Sequence, residues 1–320
     1  MKKQNLLFTG IVCLSVILFT GCNTIPTSSE NQDSPTTEAV QTEPISTFTE
    51  TLSPPTPTSK VIDPLSAVPQ KVSFTNSAGT ELRGFYYPAA VNPAPLVVMM
   101  HWTNGDMSDW YEVATWLQNR GLQNPFPNPE MPGQTEPVSW WNPTWFPKMP
   151  AEKSYGVFIF SFSGSYPFPN IDKQVDTSGW LDDAQSAMVK ALELEGVDTS
   201  QIVSIGSVHG ADGAIDACQY LNEQYPGACK GSLALSPGSY LLKDYPVTVD
   251  MLGKTTPPTT AWCIGMEYEI SICEYAATLG NSTFKYFTIP GQNQGNLLLS
   301  PDLDPLPMQL ILDFLDETLK

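Results

Sequence analysis

Histidine is close to absent from this chain: 320 residues contain two, His101 and His209. With so few imidazoles and no C-x-x-C spacing there is little from which to build a zinc centre, whose ligands are closely spaced Cys and His. No metal and no cofactor is expected. Positive charge is scarce as well, with 15 Lys and Arg against 33 Asp and Glu and a formal charge of −18. Such a surface repels phosphate backbones and anionic head groups, which argues against nucleic acid as a partner. No glycine-rich phosphate loop and no basic patch occur either. The apolar run at the start, Leu6 to Phe19, is short for a stable bilayer span.

What is present begins with that run. Lys2 and Lys3 precede it and Gly21-Cys22 follows it, the layout of a cleaved export signal over residues 1–21. The Gly-Cys ending resembles a bacterial lipoprotein signal, which implies that Cys22 is acylated and ties the chain to a membrane from outside the cytoplasm. Without Lys2 and Lys3 the formal charge becomes −20. Residues 22–65 turn to Thr, Ser, Pro, Glu and Gln with few aliphatics. That composition cannot bury enough apolar surface to offset its ordering entropy, so a disordered stalk is expected. Residues 66–320 have the length of one large domain, expected to be a monomer.

Within that domain, apolar runs alternate with amphipathic stretches. Strands are expected at Lys71 to Phe74, Glu81 to Tyr87, Leu96 to Met100, Gly156 to Phe162, Ile202 to Ile205, Lys230 to Leu235, Thr260 to Ile264 and Lys285 to Ile289. Between them, helical spacing is read at Trp110 to Leu117, Trp180 to Leu194, Ala214 to Leu221 and Met308 to Leu319. The alternation predicts an α/β domain, a doubly wound and mostly parallel sheet with helices on both faces. Ligands of such sheets bind beyond the carboxyl ends of the strands. Residues 123–153 interrupt the pattern with prolines and with Trp140, Trp141, Trp145 and Phe146. They read equally as a binding loop or as a segment pinned down by its own aromatics.

The stretch Ile202-Val-Ser-Ile-Gly206-Ser207-Val208-His209-Gly210 runs from an apolar strand through two glycines into a small-residue helix. A nucleophile elbow needs tiny residues two before and two after the attacking side chain, giving G-x-S-x-G. Gly206 and Gly210 supply the frame, but the middle residue is Val208, which has no lone pair to attack with.

The order of parts resembles the α/β-hydrolase fold, with dienelactone-hydrolase-like and esterase-like members nearest. The likeness rests on Val97 to Trp102 followed by Asp109-Trp110, on Gly196-Val-Asp198 through Ala211, on Trp262 to Ser271, and on Pro290-Gly-Gln-Asn-Gln294-Gly295. In that family the last three segments deliver serine, acid and histidine. The resemblance therefore implies Val208 in the nucleophile's place, Gln294 in the histidine's, and Tyr268, within Glu267-Tyr268-Glu269, in the aspartate's. Acyl transfer needs a hydroxyl, an imidazole and an orienting carboxylate. With all three replaced, the expected protein is non-catalytic and keeps a pocket for a small molecule, a glycan or a protein. Its lining would be His101, Trp102, Glu267, Glu269, Trp140, Trp141 and Trp145. Trp102 stands where the family has glycine and would crowd an oxyanion hole.

Two other readings are open. One is an active ester hydrolase using Ser207 with His209 or His101, although Ile205 and His209 would then occupy the cramped positions of the turn. The other is a structural surface protein whose pocket is filled by its own tryptophans. Cys218, Cys229, Cys263 and Cys273 remain for the domain, and their short separations suggest disulfides between Cys218 and Cys229 and between Cys263 and Cys273, without fixing the pairing.

Overall fold

The structure, a computed structural model, describes residues 63–103, 105–122, 142–165 and 175–319. The signal, Cys22, almost all of the stalk, Trp140 and Trp141 lie outside the described residues.

Eight strands form one sheet in the order β1-β2-β4-β3-β5-β6-β7-β8. They are β1 (Gln70–Thr75), β2 (Glu81–Tyr87), β3 (Ala94–Met100), β4 (Gly156–Ser161), β5 (Val197–Ser207), β6 (Cys229–Leu235), β7 (Thr260–Met266) and β8 (Phe284–Ile289). The hairpin β1–β2 and the pair β2–β4 are antiparallel, and every other pairing is parallel. Leu96 to Met100 and Gly156 to Ser161 are buried throughout, as strands covered on both faces must be.

One face of the sheet packs against α1 (Tyr111–Gln118) and α6 (Pro307–Thr318), with Trp110, Leu117, Phe314 and Leu315 in its core. The other carries α2 (Trp180–Ala191), α3 (His209–Gln224), α4 (Tyr245–Gly253) and α5 (Ser271–Ala277) around Phe158, Phe160, Ala214 and Val249. The doubly wound arrangement is therefore present. Two of its helices, α4 and α5, have no counterpart among the sequence expectations. α5 is too short to display a periodic stripe, and α4 has a proline, Pro246, in its first turn and carries Val247 and Met251 on its exposed side. The structure bonds Cys218 to Cys229, joining α3 to β6, and Cys263 to Cys273, joining β7 to α5.

Register decides what meets at the carboxyl end. Met100 pairs with Gly206, Ser207 with Leu235, Leu235 with Ile264, and Met266 with Ile289. The residues leaving β3, β5, β6, β7 and β8, which are His101, Val208, Ser236, Glu267 and Pro290, are thereby brought to one edge of the sheet.

Candidate functional site

The turn from β5 into α3 is as sharp as the glycine frame implies. Val208 has φ 53° and ψ −110°, a region a β-branched residue enters only at a cost. Its N–H donates to Leu235 O at 2.8 Å, and its carbonyl accepts from Ala211 N at 3.0 Å. A Cβ on Gly206 would lie 1.9 Å from Gly210 O, and one on Gly210 would lie 2.4 Å from Met100 O and 2.5 Å from His101 O. Packing against β3 and the start of α3 therefore fixes the bend. The side chain held at its tip is an isopropyl group that is 6% exposed.

Gly295 presses on this tip from the far side. It opens a 3-10 turn, Gly295–Leu299, with φ +57°, and a Cβ there would come within 2.7 Å of both Ser207 Oγ and Val208 Cγ2. Only a glycine backbone fits that close. Ser207 itself is fully buried, and its hydroxyl has no hydrogen-bond partner among the described residues.

Neither histidine serves Ser207. His101 is fully buried, with Nδ1–H donating to Trp102 O at 2.6 Å and Nε2 accepting from Phe162 N at 3.0 Å. Burial pushes its pKa down to about 4, so it is a neutral structural group. The expectation that His101 lines a pocket is corrected: it packs edge-on against Phe162 and Trp180 instead. His209 lies flat against Tyr240, with centroids 4.6 Å apart, and its Nδ1 is 3.3 Å from Thr103 Oγ1. Burial lowers its pKa too.

The acid turn also differs from expectation. Tyr268 is 59% exposed, and the side chain that meets Gln294 is Glu269, one residue further on. Gln294 Nε2 donates to Glu269 Oε2 at 3.2 Å and to Tyr240 OH at 3.4 Å. Ser236 Oγ donates to Glu269 Oε1 at 2.5 Å, Met266 N donates to the same oxygen at 3.2 Å, and Gly295 N donates to Ser236 Oγ at 2.9 Å. The reason is local: Glu269 N and Ile270 N both return to Met266 O, and this tight turn swings residue 269 inward while Glu267 and Tyr268 face solvent. Glu269 is thus a carboxylate that accepts from three donors, Ser236 Oγ, Met266 N and Gln294 Nε2.

Sequence reasoning missed Ser236, Tyr240, Asp212 and Gly295. Ser236 leaves its strand at the level where Val208 leaves the neighbouring one, and has φ 55°. Its position directly after an apolar strand was the available signal. Asp212 accepts N–H bonds from Gly238 at 3.2 Å, from Leu241 at 3.4 Å and from Tyr240, and so secures the loop after β6. Burial outweighs those donors and pushes its pKa up to about 6. Trp102 is half-buried beside Asp109, whose carboxyl is held well above the usual range by burial and by Asp106. Trp145 lies in a 3-10 turn against α1, and the adjoining Phe146 tilts onto Trp116 with centroids 5.3 Å apart. Among the described residues no bond or ring contact joins Trp145 to the elbow. Nor do the described residues contain a group of three or more His, Cys, Asp or Glu placed to hold a metal ion.

No family model matches the chain. The Escherichia coli K12 protein YfhR, itself uncharacterized, is 24% identical over 158 residues, which is 48% of this chain and 42% of that protein. The match thus spans less than half the length of that relative. Among solved structures, the α/β hydrolase GrgF from Penicillium sp. sh18 superposes with a TM-score of 0.52 at 12% identity, over 79% of this chain and 99% of that one. EstE1, a thermophilic carboxylesterase cloned from a metagenomic library, gives 0.50 at 12% identity over 81% and 92%. Likeness at these identities speaks to architecture alone.

Proposed function

We propose that this chain, which has the α/β-hydrolase fold, is a non-catalytic member of that architecture. In this reading it is carried outside the cytoplasm on an acylated Cys22 and a Thr/Ser/Pro-rich connection, and it binds a ligand or protein partner at the carboxyl edge of its sheet. The observation that carries the reading is the pairing of two replacements around a retained frame. The elbow carries Val208 at its tip and a carboxamide, Gln294, lies beside Glu269; in this reading the first replaces an attacking hydroxyl and the second a base. An amide takes no proton near neutral pH, and a valine offers none. Without hydroxyl and imidazole, only the roughly thousandfold residual effect of binding and oxyanion donors would remain.

Among the described residues the edge that would do the binding is a shallow rim at the elbow, because Gly295 closes over the tip. Tyr240 at 42% and Tyr268 at 59% exposure, together with the partly exposed Trp102 and Gln294, are its contact groups. Tyrosine and tryptophan supply large contact area at low entropic cost.

Full-length protein assayed with p-nitrophenyl acetate and butyrate should show no turnover above buffer and no labelling by a fluorophosphonate probe. Turnover that Ser207→Ala abolishes would overturn the reading in favour of a hydrolase with a rearranged site. The doubly substituted Val208→Ser/Gln294→His chain should gain labelling, since Glu269 already stands ready to orient an imidazole. For the anchor, Cys22→Ala should move the protein from the membrane to the soluble fraction.

A further inference from the structure

A second concave site lies away from the elbow, where the β1–β2 hairpin, α2 and Tyr220 of α3 enclose a groove of about 420 Å³. That is within the size range of small-ligand sites. Its floor is apolar, formed by Phe74 and Val189, both half-buried. The Phe74 ring is fixed from behind by edge contacts with Phe158 and Phe160, each at 5.8 Å between centroids.

The polar lining divides into two kinds. Every charged or amide group is already engaged. Lys190 Nζ pairs with Glu193 at 2.7 Å, Asp182 accepts from Ala78 N at 3.3 Å, Gln185 donates to Asp216 at 2.8 Å, and Asn76 donates to Asp183 at 2.7 Å and accepts from Thr80 N at 2.8 Å. The hydroxyls of Thr75, Ser77, Ser186 and Tyr220 have no hydrogen-bond partner among the described residues.

We infer that this groove is a saccharide-binding site. An anion would meet Asp182 and Glu193 with the only lysine already neutralised. A cation would have to displace the Lys190 pair or the Ala78 bond. An aliphatic ligand would strand the four hydroxyls. What fits is an uncharged ligand with one apolar face, for the Phe74 ring, and an edge of hydroxyls that both donate and accept, as Ser, Thr and Tyr hydroxyls do. The inference is independent of whether the elbow is catalytic.

Ligand-observed NMR on the full chain, with maltotriose, cellotriose and tri-N-acetylchitotriose as probes, tests it. At least one trisaccharide should bind with Kd of about 1 mM or tighter. Ser186→Trp, which fills the groove from a partly buried position on α2, should weaken that binding by roughly tenfold or more, Tyr220→Phe should weaken it severalfold, and Tyr268→Ala at the elbow rim should leave it unchanged. Binding by none of the three, or binding that both groove substitutions leave intact, would overturn the assignment. Should Ser186→Trp lower the melting temperature sharply, Tyr220→Phe alone decides between these outcomes.

Discussion

The elbow turn and the acid turn stand side by side at the carboxyl edge of the sheet, and they are held by different forces. At the elbow the backbone is locked sterically: Gly206 and Gly210 meet neighbouring main chain at distances no Cβ could tolerate. The residue carried at the tip is almost irrelevant to that lock. At the acid turn the backbone is an ordinary tight turn, and its fixed point is the Glu269 side chain with its donors Ser236, Met266 and Gln294. A site built on the first kind of turn can lose its reactive group and keep its shape. One built on the second keeps its shape only while the polar side chain stays.

Substitutions can break this contrast, and the largest effect is expected at the sterically locked turn. Gly210→Ala, which drives a methyl into Met100 O and His101 O, should cost more than about 4 kcal/mol in urea unfolding or prevent folding. Next comes acid titration of the group beneath the elbow. The folded-state pKa of His101 is pushed down to about 4 from an ordinary 6.5, so the unfolded chain binds the extra proton between those values. Its contribution is full above about pH 6.5 and is lost as pH falls toward 4, up to roughly 3 kcal/mol. Asp212 has the opposite sign: its folded pKa is raised to about 6, so its stabilising protonation is lost as pH rises toward that value. Asp212→Asn should therefore make the acid-side loss of stability steeper than in the parent chain, and an unchanged slope would refute this accounting.

At the acid turn, Glu269→Gln puts an NH₂ group against donors that need acceptors, at a cost of about 1–3 kcal/mol by thermal unfolding. Val208→Ser should stay within about 1 kcal/mol, because relief of β-branched strain offsets the lost methyls. A loss comparable to that of Glu269→Gln would mean that the tip residue does help to hold the elbow. Tyr268→Phe should change stability by no more than about 0.5 kcal/mol, since the ring is largely in solvent.

Much of the architecture could be read from the sequence because buried parallel strands leave long apolar runs, as at Leu96–Met100 and Gly156–Ser161. The elbow was legible for a similar reason: steric demand is written in glycines. Which side chain after β7 meets Gln294 was not, because counting along a motif cannot tell which of Glu267, Tyr268 and Glu269 a turn swings inward, and that depends on where Met266 O finds its donors. His101 was misread as pocket lining since a strand-end histidine looks the same in sequence whether its ring faces ligand or, as here, Phe162 N. Ser236 and Gly295 act through partners from other strands, and such partners leave no local trace.

The two disulfides both fall on one side of the sheet. Cys218–Cys229 and Cys263–Cys273 tie α3 and α5 to β6 and β7, while α1 and α6 on the opposite side have no such tie among the described residues. Each closes a short loop, with a chain-entropy effect of about 3 kcal/mol. The molecule is thus stapled asymmetrically. In a reducing environment the layer carrying the elbow helix and the acid-turn helix would loosen, while the layer of α1 and α6, held by packing, by Gln118 and Trp116 hydrogen bonds and by the Asp316 and Glu317 ion pairs, would hardly register the change. The oxidation state of the surroundings would then set how firmly the carboxyl edge is shaped.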